Sequence, residues 1–426
     1  MTIVWLLCGI FVLLFLRVPV AFALLLPSLA YLGLEPRLTL GVGLQRVTAM
    51  LDSFPLLAVP LFILVGYVAN VAGLADKLME ALLAIMGRVR GSLAYVNVNA
   101  SLAFSWMNGS AMADAAAMGS VMIPVMRRNG YDPAFAAAIT AASSMIGPVM
   151  PPSIGAILYG VLTGSSIAAM FLAGVLPAFV IFMVLTVYVF LYVRKREGLV
   201  VEPFSNEKKV RALLSAIPIL AAPIVLLGGI LGGIFTPTEA AGITVVYLIV
   251  ISFALGWMGP KELYKAFALS ATTTGRVMLI AAAGGLFSYI LARENVPGQV
   301  AETLKLITDN PLIFLLLLNL FLLIVGMFLE PASALLITVP VLFPVAQQFG
   351  IDPIHLGAVV ILNLTIGLLT PPVGLVLFMV SAVGQVPFNR VLRETVPLLI
   401  PLFIALFAVT YISDLSLLLP RLFGFH

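Results

Sequence analysis

The sequence predicts an all-α polytopic membrane protein made of two inverted-topology repeats. Each repeat has about five membrane crossings, one re-entrant helical hairpin and one proline-broken helix. Three observations carry this prediction. Of 426 residues, 62% are hydrophobic and 9% charged, against roughly 45–50% and 25% in soluble domains; several apolar runs are long enough to span hydrocarbon. Landmark residues recur at a spacing of 220. Two very apolar stretches, "IGPVMPPSIG" (146–155) and "IGLLTPPVG" (366–374), contain paired prolines, which break a helix at a depth where freed backbone groups must find partners inside protein or at a cavity.

Composition also limits the chemistry. The single cysteine, Cys8, excludes an intrachain disulfide and a cysteine metal cluster. The two histidines, His355 and His426, leave a histidine metal site or a Ser-His-Asp triad almost nothing to work with. A formal charge of +4 is not a nucleic-acid signal. The N-terminal run "MTIVWLLCGIFVLLFLRVPVAF" has no basic leader and no small-residue cleavage site, and reads as mature membrane sequence rather than a signal peptide.

The repeat fixes the order of elements. Shifted by 220, Pro124, Gly130, Asp132, Pro133, Ile146, Gly147, Pro151 and Pro152 fall on identical residues. The first repeat (1–193) holds spans at about 3–16, 19–33 and 54–71, a hairpin at about 92–125, a broken helix at about 133–163 and a last span at 166–193. The linker 194–211, "RKREGLVVEPFSNEKKVR", is a solvated cytoplasmic loop. The second repeat (212–426) holds spans at about 212–235, 239–258 and 272–292, a hairpin at about 311–345, a broken helix at about 353–384 and a last span at 396–418.

Charge placement orients the repeats. With the linker in the cytoplasm, 16 basic residues lie inside: Arg17, Lys77, Arg88, Arg90, Arg127, Arg128, six in the linker, Lys261, Lys265, Arg390 and Arg393. Arg37, Arg46, Arg293, Lys305 and Arg421 lie outside, and Arg276 sits near a span. Five crossings per repeat invert the second half. The hairpins then open to opposite faces, and both chain ends are periplasmic. Inverted repeats with discontinuous helices are the plan of secondary transporters.

The candidate residues cluster at the hairpin tips and the breaks. Asn108, Gly109 and Ser110 mark the first tip, with Asp114 just beyond; Glu330 marks the second. Isolated intramembrane acids are functional candidates by default. The paired prolines strip hydrogen-bond donors from preceding carbonyls, and Ser143, Ser144, Thr365 and Thr370 add hydroxyls. Many neutral oxygens and few carboxylates suit Na⁺ better than a divalent ion. Each tip with its break makes a cation site, and substrate lies between the two.

With "NGSAMADAAAMGSVMIPVM", "GYDPAFAAAITAASSMIGPVMPPS", "GMFLEPASALLITVPVLFPVA" and "NLTIGLLTPPVGLVLF", essentially the whole chain resembles the large membrane subunit of TRAP (tripartite ATP-independent periplasmic) transporters, the DctM-like family. The resemblance implies an elevator-type ion-transporter fold in a bacterial inner membrane and no enzyme activity. It implies a small four-helix membrane subunit as a separate chain, a periplasmic binding protein, and a small organic acid substrate such as a dicarboxylate or sialic acid. It implies no cofactor beyond coupling Na⁺, two ions or more. Carried over, the first Na⁺ site takes Asn108, Gly109 and Ser110 with Gly147, Met150 and Pro152. The second takes Gly326 and Met327 with Gly367, Thr370 and Val373. Substrate contacts fall to Asp114, Ser143, Ser144, Glu330, Asn363 and Thr365. The stretches "LADKLMEALLAIMGRVR" and "PKELYKAFALSATTTGR" resemble the arm helices that hold the moving domain. The family often carries serine where this chain has Asn108 and Ala111, and aspartate in place of Glu330. Two other readings stay open: a stand-alone divalent-anion/Na⁺ symporter of the same superfamily, and an intramembrane enzyme.

Overall fold

The computed structural model describes residues 2–35, 39–87, 89–196, 199 and 206–425. Arg37, Arg88 and most of the centre of the 194–211 linker, used above to orient the chain, lie outside the described residues. Among the described residues the chain is all α. The first half contains α1 (Thr2–Phe15), α2 (Val20–Leu34), α3 (Leu40–Leu51), α4 (Ala58–Val71), α5 (Leu74–Met86), α6 (Ser92–Asn108), α7 (Ala111–Arg128), α8 (Pro133–Ser143), α9 (Ile154–Thr163) and α10 (Ile167–Arg194). The second contains α11 (Asn206–Leu231), α12 (Pro237–Ala254), α13 (Pro260–Arg293), α14 (Val296–Lys305), α15 (Pro311–Phe328), α16 (Pro331–Gln348), α17 (Pro353–Gly367), α18 (Leu375–Gly384), α19 (Phe388–Tyr411) and α20 (Asp414–Leu422). Among the described residues, eight helical segments are long and apolar enough to cross a membrane.

Helix boundaries repeat with the sequence. Moving α7 by 220 positions lands it on α16 end for end, and α8 starts 220 positions before α17. The shared Gly-x-Asp-Pro explains why. Gly130 and Gly350 take left-handed backbone (φ 83° and 71°) just past α7 and α16, where a side chain would be strained. Asp132 then caps α8, its Oδ1 accepting from Ala134 N at 2.8 Å, and Asp352 caps α17, accepting from Ile354 N at 2.8 Å. The following proline takes the first helical position, where its missing N–H costs nothing.

Three expectations are corrected. The stretch 260–276, expected as a separate arm, is continuous with the third span in the 34-residue α13. At about 1.5 Å per residue α13 is about 51 Å long, more than a ~30 Å hydrocarbon core. Its counterpart in the first half is divided between α3 and α4 by Asp52, Ser53 and a proline-started 3-10 turn, Phe54–Leu57; α13 has no proline past its first position. The repeat partner of arm α5 is therefore α14. The last span begins at Phe388 rather than 396, because Pro387 starts the helix there, and it ends at Tyr411 before the short amphipathic α20. Finally, α11 extends back to Asn206, into the segment expected as a loop.

Packing separates two groups of helices. α1, α2, α3, α4, α12 and α13 pack on one another, with α11 on α12 and α5. α6–α8, α10 and α17–α19 share one large apolar core; α9, α15, α16 and part of α17 share a second, which also takes in residues of α4, α11, α12 and α13 and so joins the two groups. The two repeats interlock through their broken helices. α7 of the first hairpin packs on α18, the far half of the second broken helix, and α16 of the second hairpin packs on α9, the far half of the first. Each break is thereby held beside a hairpin tip.

Candidate functional site

At the first tip α6 ends at Gly109, whose φ of 51° turns the chain. Ser110 then caps α7, its hydroxyl accepting from Ala113 N at 3.5 Å. The side chain of Asn108 lies outside the described residues. The tip rests on the far side of the first break: a Cβ on Gly109 would meet Pro152 O at 3.2 Å and Ile154 N at 3.5 Å.

The first break opens after a 3-10 turn, Ser144–Ile146. Met150 N donates to Ile146 O at 2.9 Å and Gly147 N to Ser144 O at 3.3 Å. Ser153 restarts the helix, donating to Pro148 O and capping α9 through Ala156 N. Among the described residues no donor reaches the carbonyls of Gly147, Met150 or Pro152. These are the groups that paired prolines deprive of partners, and they are usable cation ligands.

The second tip meets its break differently. Gly326, buried in the last turn of α15, lies against Gly367: a Cβ on Gly326 would fall 2.8 Å from Leu364 O and 3.1 Å from Gly367 Cα. The carbonyls of Gly326 and Met327 receive no hydrogen bond among the described residues, nor do those of Thr370 and Val373. The Gly367 carbonyl accepts from Thr370 N at 2.9 Å, and the Thr370 hydroxyl donates to Ile366 O at 2.9 Å. Both oxygens keep a free lone pair. Both Pro-Pro bonds, Pro151-Pro152 and Pro371-Pro372, are cis. Gly109 touches the far side of its break and Gly326, which is not its counterpart in the repeat, touches the near side of its own.

A cavity of about 90 Å³ lies between the two tips. Gly109 and Ser110 line it from the first hairpin, Glu330 and Pro331 from the second, and Thr273 from α13. Glu330 is surrounded by protein but faces open space. Of the six expected substrate contacts it is the one placed in this cavity.

The other five are buried behind it. Asp114 is wholly inaccessible beside Gly147, with the Ser101 hydroxyl as its polar neighbour. Ser143 bridges Ser101 and Asn97 at 3.0 and 3.2 Å. The Ser144 and Thr365 hydroxyls donate to carbonyls of their own helices, Ala141 O and Ile361 O. Asn363 donates to Asn319, which donates to Thr410 at 3.1 Å. Thr273, held by Tyr67 at 2.8 Å, is the polar cavity residue that the motifs do not single out. It lies in the middle of a long helix with no break to mark it.

Paired hairpins docked on paired broken helices, with a cavity between the tips, define a polytopic membrane transporter of the ion-transporter fold. The solved structure of the YdaH transporter of Alcanivorax borkumensis shares this fold, with a TM-score of 0.66 at 15% identity, covering 92% of this chain and 96% of that one. The chain belongs to the tripartite ATP-independent periplasmic transporter family, DctM component, which it matches over residues 7–415. The sialic acid TRAP large permease SiaM of Vibrio cholerae is 41% identical over 96% of each chain. The C4-dicarboxylate large permease DctM of Pseudomonas aeruginosa is 37% identical over 88% of each. The 2,3-diketo-L-gulonate large permease YiaN of Escherichia coli is 32% identical over 94% of each.

Proposed function

We propose that this chain is the permease of a Na⁺-coupled importer of a small organic acid. A periplasmic binding protein delivers the acid, and a small four-helix membrane subunit completes the scaffold. The hairpins and broken helices carry substrate and Na⁺ past α1–α4 and α11–α13 in an elevator motion, with both chain ends periplasmic.

One observation carries this reading. At both breaks, and in the last turn before the second tip, backbone carbonyls receive no donor among the described residues, and the cavity between the two tips has Glu330 as its charged lining residue. Buried carbonyls without partners are costly, and a desolvated monovalent cation satisfies them. The acids named for its relatives, sialate, C4-dicarboxylate and diketogulonate, support an organic acid as the substrate. Cations bound at the two junctions offset the Glu330 charge that an anion meets on entry.

The test is reconstitution with the small subunit and the cognate binding protein in proteoliposomes. An inward Na⁺ gradient should drive uptake. Equal uptake without Na⁺ would reject the coupling, and uptake without the binding protein would favour a stand-alone symporter.

A further inference from the structure

A second cavity, of about 520 Å³, lies far from the tips, between arm helix α5 and scaffold helix α11. Lys77 and Glu80 line it from α5, Lys208, Arg211 and Ser215 from α11, and Trp257 from the turn after α12. Lys208 apart, Lys77 and Arg211 stand against one carboxylate, Glu80, among the described lining residues. The Lys77 ammonium sits 5.0 Å from the centre of the Trp257 ring, a cation–π contact that holds it at the cavity wall. Arg211 is exposed and makes no ion pair or hydrogen bond among the described residues.

The surroundings identify the ligand. Immediately past Arg211, α11 turns from charged to apolar, and its outward face presents Leu214, Ile217 and Ile224 at 60%, 61% and 71% exposure. A soluble anion has no use for such a strip. A molecule with a phosphate at one end and acyl chains at the other matches both parts. A tryptophan at the junction is what a membrane–water boundary favours, and basic pockets between membrane helices take anionic headgroups. We propose that this cavity binds the phosphate headgroup of an anionic phospholipid, with its acyl chains lying along α11. The lipid bridges the scaffold to α5, the helix that leads into the first hairpin, and so braces the arm at its root. Which leaflet supplies it rests on the cytoplasmic placement of the linker; the binding does not depend on the transport reading.

The test uses the purified complex of this chain with its small subunit, delipidated in detergent, read by native mass spectrometry and thermal unfolding. Phosphatidylglycerol should be retained and should raise the unfolding midpoint; phosphatidylcholine and water-soluble glycerol 3-phosphate at equal concentration should do neither. Lys77→Gln with Arg211→Gln should lower phosphatidylglycerol occupancy by about tenfold or more, since each removes one headgroup cation, while the midpoint without lipid should fall only by the small amount that loss of the Lys77–Trp257 contact accounts for. If that pair misfolds, Ser215→Asp tests the same cavity with one added negative charge and should also expel the lipid. Equal retention of phosphatidylcholine overturns the proposal, as does full retention by the variants. A response to glycerol 3-phosphate as large as to the lipid makes this a soluble-phosphate site. Retention by the isolated chain but not by the complex assigns the cavity to the partner subunit.

Discussion

Gly326 and Gly367 meet backbone to backbone. A Cβ on Gly367 would lie 2.7 Å from Gly326 Cα, and one on Gly326 would lie 2.8 Å from Leu364 O. No flexible side chain stands between them to give way, so even one methyl group separates the second hairpin from its break. Gly326→Ala should displace the Gly326 and Met327 carbonyls from those of Thr370 and Val373. The expected result is a loss of uptake of at least tenfold with a raised Na⁺ requirement, in a protein that still inserts and elutes as a single species. Full uptake with unaltered Na⁺ dependence would show that this contact does not build an ion site.

Thr370 offers a finer probe. Its hydroxyl hydrogen is committed to Ile366 O at 2.9 Å, which leaves the oxygen lone pairs for a cation. Thr370→Ala removes that oxygen and one intrahelical hydrogen bond, at a stability cost of about 1 kcal/mol. Thr370→Ser keeps both. Half-saturating Na⁺ should rise several-fold in the alanine variant and stay near wild type in the serine variant. Parallel behaviour of the two in a Na⁺ titration of uptake would remove Thr370 from the ligand set.

The repeat, the hairpins, the breaks and the tip residues were legible in the sequence because each has a local cause. Gly-x-Asp-Pro is a helix end, a cap and a helix start in four residues, and Pro-Pro deletes donors wherever it falls. What stayed hidden depends on packing between distant segments. The crossed docking of α7 on α18 and α16 on α9 leaves no mark in either helix. Asp114 and Glu330 look alike as isolated acids, yet one faces the cavity and the other is sealed beside Gly147. The two hold different places in the repeat: Glu330 is the N-cap of α16, the counterpart of Ser110, which also lines the cavity, whereas Asp114 lies inside the first turn of α7. Ser143 and Asn363, 220 positions apart, are both expected substrate contacts, and both make buried side-chain bridges, although Asn363 does so through its amide N–H and its Oδ1 is left without a partner among the described residues. The fusion of 260–276 with the third span follows from the lack of a helix-breaker equivalent to Pro55, an absence that amphipathic patterning does not report.

The Arg390–Asp132 pair, 3.2 Å apart, ties α19 of the second repeat to the start of α8 in the first. The arginine side chain is 59% exposed, so Arg390→Ala should cost no more than about 1 kcal/mol. Asp132 also caps α8 through Ala134 N, a contact of about 0.5–2 kcal/mol. Asp132→Ala should therefore lower the thermal midpoint clearly more than Arg390→Ala, and Asp132→Asn, which keeps a capping oxygen, should recover most of the difference. Equal losses for Arg390→Ala and Asp132→Ala would place the whole effect in the ion pair.

Glu330 makes the sharpest distinction between an ion-coupled anion site and a simple polar lining. Its carboxylate faces the cavity from the second tip, a few residues past the unpartnered carbonyls of Gly326 and Met327. An anionic substrate entering that cavity is repelled by Glu330 unless a cation at the junction offsets the charge. Glu330→Gln removes the repulsion while keeping the side chain's size. At limiting Na⁺ the variant's apparent KM for the acid should fall several-fold below wild type. At saturating Na⁺ the two should converge, because the bound cation already screens the carboxylate in the wild-type protein. A change of equal size at every Na⁺ concentration would make Glu330 a direct substrate contact and uncouple it from the ion sites.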